Sequence, residues 1–147
     1  MSYTIRVRVT NGTPDTLTVV EKTCWYYANG GTWTEQDGQH VLHMGGSGTS
    51  GMLRFKSSSG ENFTVVLGIH NYKPWCDAQV KLQDGDTAVK IHPEYYSGGK
   101  LSGEDYGTGF IKGTDHLKWV GVSFDQQEGH DLSAEVTFYP AKDERIY

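Results

Sequence analysis

Ile5, Val7 and Val9 alternate with Arg6, Arg8 and Thr10, the period of a strand with one face buried and the other in water. Apolar, β-branched and aromatic runs return at TLTVVEKTCWYY (16–27), HVLHM (40–44), MLRFKS (52–57), NFTVVLGIHNY (62–72), AQVKL (78–82), HLKWVGVSF (116–124) and LSAEVTFYP (132–140). Between them lie NGTPD, ANGG, GGSGTSG, SSSGE and EGHD, rich in the residues that turns demand. Many short strands at this spacing predict a mainly β protein, a sandwich or barrel. One stretch departs from the pattern. Asp84 or Asp86 is placed to cap a short helix through Thr87, Ala88, Val89 and Lys90, which Pro93 ends or kinks. Residues 97–109 hold five glycines and read as loop.

Composition agrees with a folded chain. Aromatics make up 12% of the 147 residues, and 19 Gly against 4 Pro suit many tight turns. With no internal repeat and no linker, residues 1–140 read as a single domain, and AKDERIY after Pro140 as a polar tail over 141–147. The net charge of -5, without a run of Lys or Arg, argues against a nucleic-acid partner. No apolar run approaches the roughly 20 residues of a membrane-spanning helix. MSYTIRVRV alternates where a secretory signal has a charged head and an apolar block, so the expected compartment is the cytoplasm, with non-classical release open. There, Cys24 and Cys76 are expected to remain reduced and buried.

Candidate chemistry centres on GGSGTSG (45–51). Its last six residues match G-x-G-x-x-G, but a dinucleotide fingerprint needs a helix to follow, and Met52, Leu53, Arg54, Phe55 and Lys56 read as a strand. Two readings remain: a wide hairpin turn, or a cradle in which bare backbone N–H groups and the hydroxyls of Ser47, Thr49 and Ser50 meet a ligand. His40 and His43, three apart on a strand, face opposite sides and cannot chelate together. Glu61, Asp77, Glu94 and Asp105 show no spacing that pairs two carboxylates for glycoside hydrolysis. Neither an enzyme nor a metal or other cofactor is expected.

Three longer segments in order change the picture: YYANGGTW (26–33), MGGSGTSGMLRF (44–55) and GIHNYKPWCD (68–77). Together they resemble the fungal fruit-body lectins, and the resemblance runs over almost the whole domain. It implies a two-sheet β-sandwich of the actinoporin-like type with a small helix-loop-helix connection. It also implies non-catalytic binding of galactose and N-acetylgalactosamine, above all the T-antigen disaccharide, on glycans and glycoproteins, by a homodimer or homotetramer. A role in defence or toxicity goes with the family. Membrane insertion does not follow, because the pore-forming relatives use an amphipathic N-terminal helix and this chain begins with a strand pattern. By matching motif, the first sugar site falls on Ala28, Asn29, Ser47, Gly48, His70, Asn71 and Tyr72, with Gly48 offering its N–H and Ser47 its hydroxyl. His70 and Tyr72 share one face if the strand alternates through them.

A second family site, for N-acetylglucosamine, falls on Asp77, Ala78 and Val80, with Lys100 and Tyr106 as the nearest substitutes for a family Arg and Tyr. The chain departs from the family here. The family Ile is Ala78, the family Thr hydroxyl is lost at Val80, and Lys lacks the forked donors of Arg. This second site is expected to be altered or absent.

Overall fold

The computed structural model describes residues 2–26, 31–96, 98–104, 106–114 and 117–140. Among the described residues ten strands make two sheets. The larger contains β3 (Gly31–Gln36), β4 (Gln39–Met44), β1 (Tyr3–Asn11), β10 (Asp131–Pro140), β9 (Lys118–Gln126) and β8 (Gly109–Gly113), in that order. The smaller is β2 (Leu17–Tyr26), β5 (Thr49–Ser57), β6 (Asn62–His70) and β7 (Lys73–Gln79). Neighbours run antiparallel except β1 and β10, which pair in parallel from Thr4–Asp131 to Asn11–Phe138.

The alternation seen in the sequence becomes the core. Ile5 and Val7 on β1, and Leu132, Ala134, Val136 and Phe138 on β10, face Leu53, Phe55, Phe63, Val65 and Leu67 across the sandwich. Phe63 stacks between Phe55 and Phe138, with ring centroids 5.0 and 5.5 Å away. Strand β6 is a continuous apolar run because both its faces are buried. On its outer side Val66 joins Met52, Trp75, Ala88 and Tyr95 in a second cluster, roofed by Ile91, Tyr96, Leu101 and Tyr106.

The roof is the helical connection: α1 (Ala88–Ile91) runs without a break into a 3₁₀ turn, His92–Tyr95, with Pro93 at its start. The cap differs from the sequence expectation. Asp84 pairs with Lys56 at 3.1 Å, and Asp86 accepts from the Gln83 N–H at 2.8 Å. Instead Glu21 of β2 reaches across, its two carboxylate oxygens accepting the Ala88 and Val89 N–H groups at 2.7 and 3.0 Å. Arg54, almost fully buried, holds Glu21 in place at 3.3 Å and also donates to Asn62 and to the Asp84 carbonyl.

Other differences concern strand limits. β5 begins at Thr49, so the glycine loop is only residues 45–48. Gly51 is a packing residue: a Cβ there would lie 2.6 Å from the Trp33 ring and 2.7 Å from Leu42. The run expected at 78–82 is displaced to β7, which starts at Lys73 and includes Pro74. A proline is tolerated because β7 is the sheet's edge strand. Strands β3 and β8, also edges, have no counterpart in the predicted runs. The polar-tail reading of 141–147 falls outside the described residues.

Candidate functional site

β6 and β7 are joined by two residues, Asn71 and Tyr72, with His70 paired to Lys73. Both turn residues have positive φ, 50° and 67°, as a type I′ hairpin turn requires. Asn tolerates that conformation; a bulky aromatic rarely adopts it. The turn therefore needs outside support, and Ser47 supplies it by accepting the Tyr72 N–H on its Oγ at 3.0 Å. The Tyr72 side chain stands 79% exposed at the tip. The chain reverses between His70 and Tyr72, so the expected strand alternation does not relate them. The neighbour of His70 is Asn71, whose Nδ2 lies 3.3 Å from the imidazole Nε2.

The glycine loop is stitched to this hairpin. Gly48 adopts φ 91°, which favours glycine, and its N–H donates to the Ile69 carbonyl at 2.8 Å. That N–H is committed to the fold, contrary to its expected role as a ligand donor. Thr49 is buried and donates to the Gly46 carbonyl, and Ser50 is buried beneath the loop. Of the three hydroxyls in the 45–51 stretch, Ser47 alone is not buried, and its hydroxyl can still donate while it accepts from Tyr72. Ser47, Gly48, His70, Asn71 and Tyr72 are thus brought together. Ala28 and Asn29 lie outside the described residues.

From Gly48, His70 and Asn71 a cleft of about 780 Å³ runs past Lys73 and Trp75 to Tyr95, Tyr96, Glu104, Tyr106 and Thr108. Gly68 makes room for the indole: a Cβ at 68 would stand 2.6 Å from the Thr49 carbonyl and 2.9 Å from Trp75 Nε1. All three tyrosine hydroxyls are tied down. Tyr95 donates to Asp77 at 2.7 Å, Tyr96 shares a 2.5 Å bond with Ser50, and Tyr106 donates to the Leu101 carbonyl at 2.7 Å. Burial, with the Asp77 charge behind it, pushes the Tyr95 phenol far above its ordinary pKa. Burial and the Asp77 and Glu104 charges raise Tyr106 to about 12, so both stay neutral donors. Beneath Tyr96, buried His92 bridges Thr23 and Ser50 at 2.7 and 2.8 Å. Burial lowers its pKa to about 4, leaving one ring nitrogen to donate and the other to accept. Trp25 closes this wall, stacked on Tyr96 with centroids 4.5 Å apart and planes 5° from parallel.

The second set does not assemble. The Asp77 side chain is 1% exposed; its Oδ2 accepts from Tyr95 and from Gln79 Nε2 (3.0 Å), and its Oδ1 faces the Lys112 ammonium at 3.2 Å. Ala78 and Val80 pack in the main core. Lys100 is exposed, its backbone N–H held by Glu94 at 3.0 Å, and the cation at Asp77 comes instead from β8. Tyr106 belongs to the cleft that begins at His70 and Asn71. Sequence reasoning missed Lys112, Trp75, Tyr95, Tyr96 and Glu104 as neighbours of the site. Of these, the aromatic richness of 95–106 hinted at Tyr95 and Tyr96 alone.

Burial raises both thiols, Cys24 to about 11 and Cys76 to about 12, the latter also through the Asp77 charge. Both cysteines are free, Cys76 buried and Cys24 only partly so. Among the described residues no His, Cys, Asp and Glu cluster fit to hold a metal occurs.

The family model for fungal fruit body lectins matches residues 1–136. A lectin of Boletus edulis is 43% identical over 146 residues, spanning 94% of this chain and 99% of that protein. The crystal structure of the wild-type Xerocomus chrysenteron lectin superposes with a TM-score of 0.90 at 43% identity, covering 94% of this chain and 99% of the other. The lipid-binding protein Nakanori matches with a TM-score of 0.63 at 13% identity, over 93% and 71% of the two chains, a likeness of fold alone. With a family match that runs from the first strand into the last, and relatives that are non-catalytic sugar-binding proteins, this chain belongs to the fungal fruit body lectin family.

Proposed function

We propose that the protein binds galactose and N-acetylgalactosamine on glycoproteins, T-antigen disaccharide included, at the joint between the glycine loop and the β6–β7 hairpin. One observation carries this reading. Two hydrogen bonds, Tyr72 N–H to Ser47 and Gly48 N–H to Ile69, lock loop and hairpin together while the Asn71 amide and the His70 and Tyr72 rings stay exposed. An amide both donates and accepts, matching adjacent sugar hydroxyls, and a rigid turn loses little entropy when it binds them. Ala28 and Asn29 complete the proposed site.

No N-acetylglucosamine site is proposed at Asp77, whose carboxylate is closed in by Tyr95, Gln79 and Lys112. A shallow site of this kind binds weakly, and assembly into a homodimer or homotetramer would give avidity for clustered glycans. Residence in the cytoplasm and a defensive role belong to the same proposal.

Titration calorimetry with the T-antigen disaccharide tests the site on wild type and on Asn71→Gly, which keeps the left-handed turn while removing the amide. Loss of about 1–3 kcal/mol of binding free energy is expected. Equal affinities would remove Asn71 from the site, and silence from wild type would remove the sugar specificity.

A further inference from the structure

The cleft is larger than the proposed site needs. Gly48, His70 and Asn71 line one end, yet the space continues to Tyr106 and Glu104, and its volume of about 780 Å³ falls in the range, roughly 300–1,000 Å³, that encloses a whole drug-sized ligand. That is room for a chain of several pyranose rings. Resting on the sugar-binding reading above, we infer that the cleft is an extended subsite for an oligosaccharide: the hairpin end holds the terminal disaccharide and the aromatic end holds the sugars that follow it.

The chemistry of the walls favours a sugar chain. Because Tyr95, Tyr96 and Tyr106 each have their hydroxyl bonded to the protein, what they and Trp75 offer the cleft is ring surface. Flat rings of fixed orientation suit the C–H faces of pyranoses. Their orientation is built in: Tyr96 lies between Trp25 and the Ser50–His92 pair, and Trp75 packs against Tyr95 and Tyr106 at 5.6 and 5.5 Å. Hydroxyl partners stand at the rim, the Glu104 carboxylate as acceptor and the Lys73 ammonium as donor. The far rim is itself anchored, since the Gly107 carbonyl accepts from Cys76 N–H at 3.0 Å and the Thr108 carbonyl from Phe124 N–H at 2.8 Å. Preorganised walls of this kind bind an extended ligand without first having to order themselves.

The test is titration calorimetry with three probes: the T-antigen disaccharide, a linear neutral tetrasaccharide ending in it, and the same disaccharide on a short serine–threonine peptide. Wild type is expected to bind the tetrasaccharide about tenfold more tightly than the disaccharide. Tyr106→Ala and Glu104→Gln are each expected to bring that ratio towards one. The second change is at an exposed position, so it reads the subsite even if loss of Tyr106 upsets folding. A wild-type ratio near one overturns the extended subsite and leaves the terminal site standing. A gain from the peptide-borne probe with none from the tetrasaccharide overturns the sugar-chain assignment. Absence of binding by any probe overturns both the subsite and the reading it rests on.

Discussion

Asn71, in the turn that leads into β7, and Asp77, within that edge strand, use their polar groups in opposite directions. At Asn71 the backbone is fixed by neighbours, through Ser47 and Ile69, and the side chain is left in water. At Asp77 the side chain itself is the fixed part, tied to Tyr95, Gln79 and Lys112. Identity of residue type therefore says little about availability. What decides it is which hydrogen bonds and ion pairs the fold has already consumed, because a buried carboxylate held by two donors and an ammonium has little left to offer a ligand.

The sharpest way to break this contrast is Asp77→Ala. Two hydrogen-bond donors and one ammonium lose their partner at once, and about 3 kcal/mol of stability should go, the low end for a broken buried pair because Lys112 keeps 34% of its side chain exposed. Urea unfolding measures it. A loss under about 1 kcal/mol would mean that the carboxylate is not committed inward.

Acid should reach the buried side of the comparison next. His92 has a folded pKa of about 4 against an ordinary 6.5, so between those values the unfolded chain carries a proton that the folded one does not. Stability is therefore complete above about pH 6.5 and falls as pH drops towards 4, by about 3 kcal/mol in all. In His92→Gln this component of the pH profile should vanish; identical profiles in the two proteins would count against it.

On the exposed side the effects are smaller. Ser47→Ala removes the acceptor of the Tyr72 N–H and should lower stability by about 1 kcal/mol, read by thermal unfolding, with weaker disaccharide binding alongside. Tyr72→Gly should hardly change stability. Relief of a strained backbone, on the order of 1 kcal/mol, is offset by the greater freedom of glycine in the unfolded chain. Its sugar affinity should nevertheless drop. A large loss of stability would show that the ring packs against protein.

Much of the architecture could be read from alternation in β1 and β10 and from the apolar runs of β6 and β9. Three of the four edge strands, β2 being the exception, were hidden for a physical reason. β3 (GTWTEQ) and β8 (GFIKG) are short, half-wet and rich in polar or small residues, and β7 holds a proline that only an edge allows. The site divides likewise. Motif resemblance led to Ser47, Gly48, His70, Asn71 and Tyr72, while the roles assigned to Gly48 N–H and to strand alternation at His70 depended on a turn that period-two reasoning runs straight through. Glu21 capping α1 and Lys112 at Asp77 join residues far apart in the chain, and no local pattern announces such pairs.

The parallel pairing of β1 with β10 has a consequence for how the protein comes into being. β1 lies between β4 and β10, so one of its edges stays open until the ribosome has delivered residues 131–140. Closing the sandwich joins segments more than a hundred residues apart, the long-range contact that slows folding most. Until then the nascent chain carries an unpaired, apolar-faced strand, a template for pairing with other chains. Completion of the larger sheet thus waits for β10, and the ordering of that long-range pair is the slow step it imposes on folding.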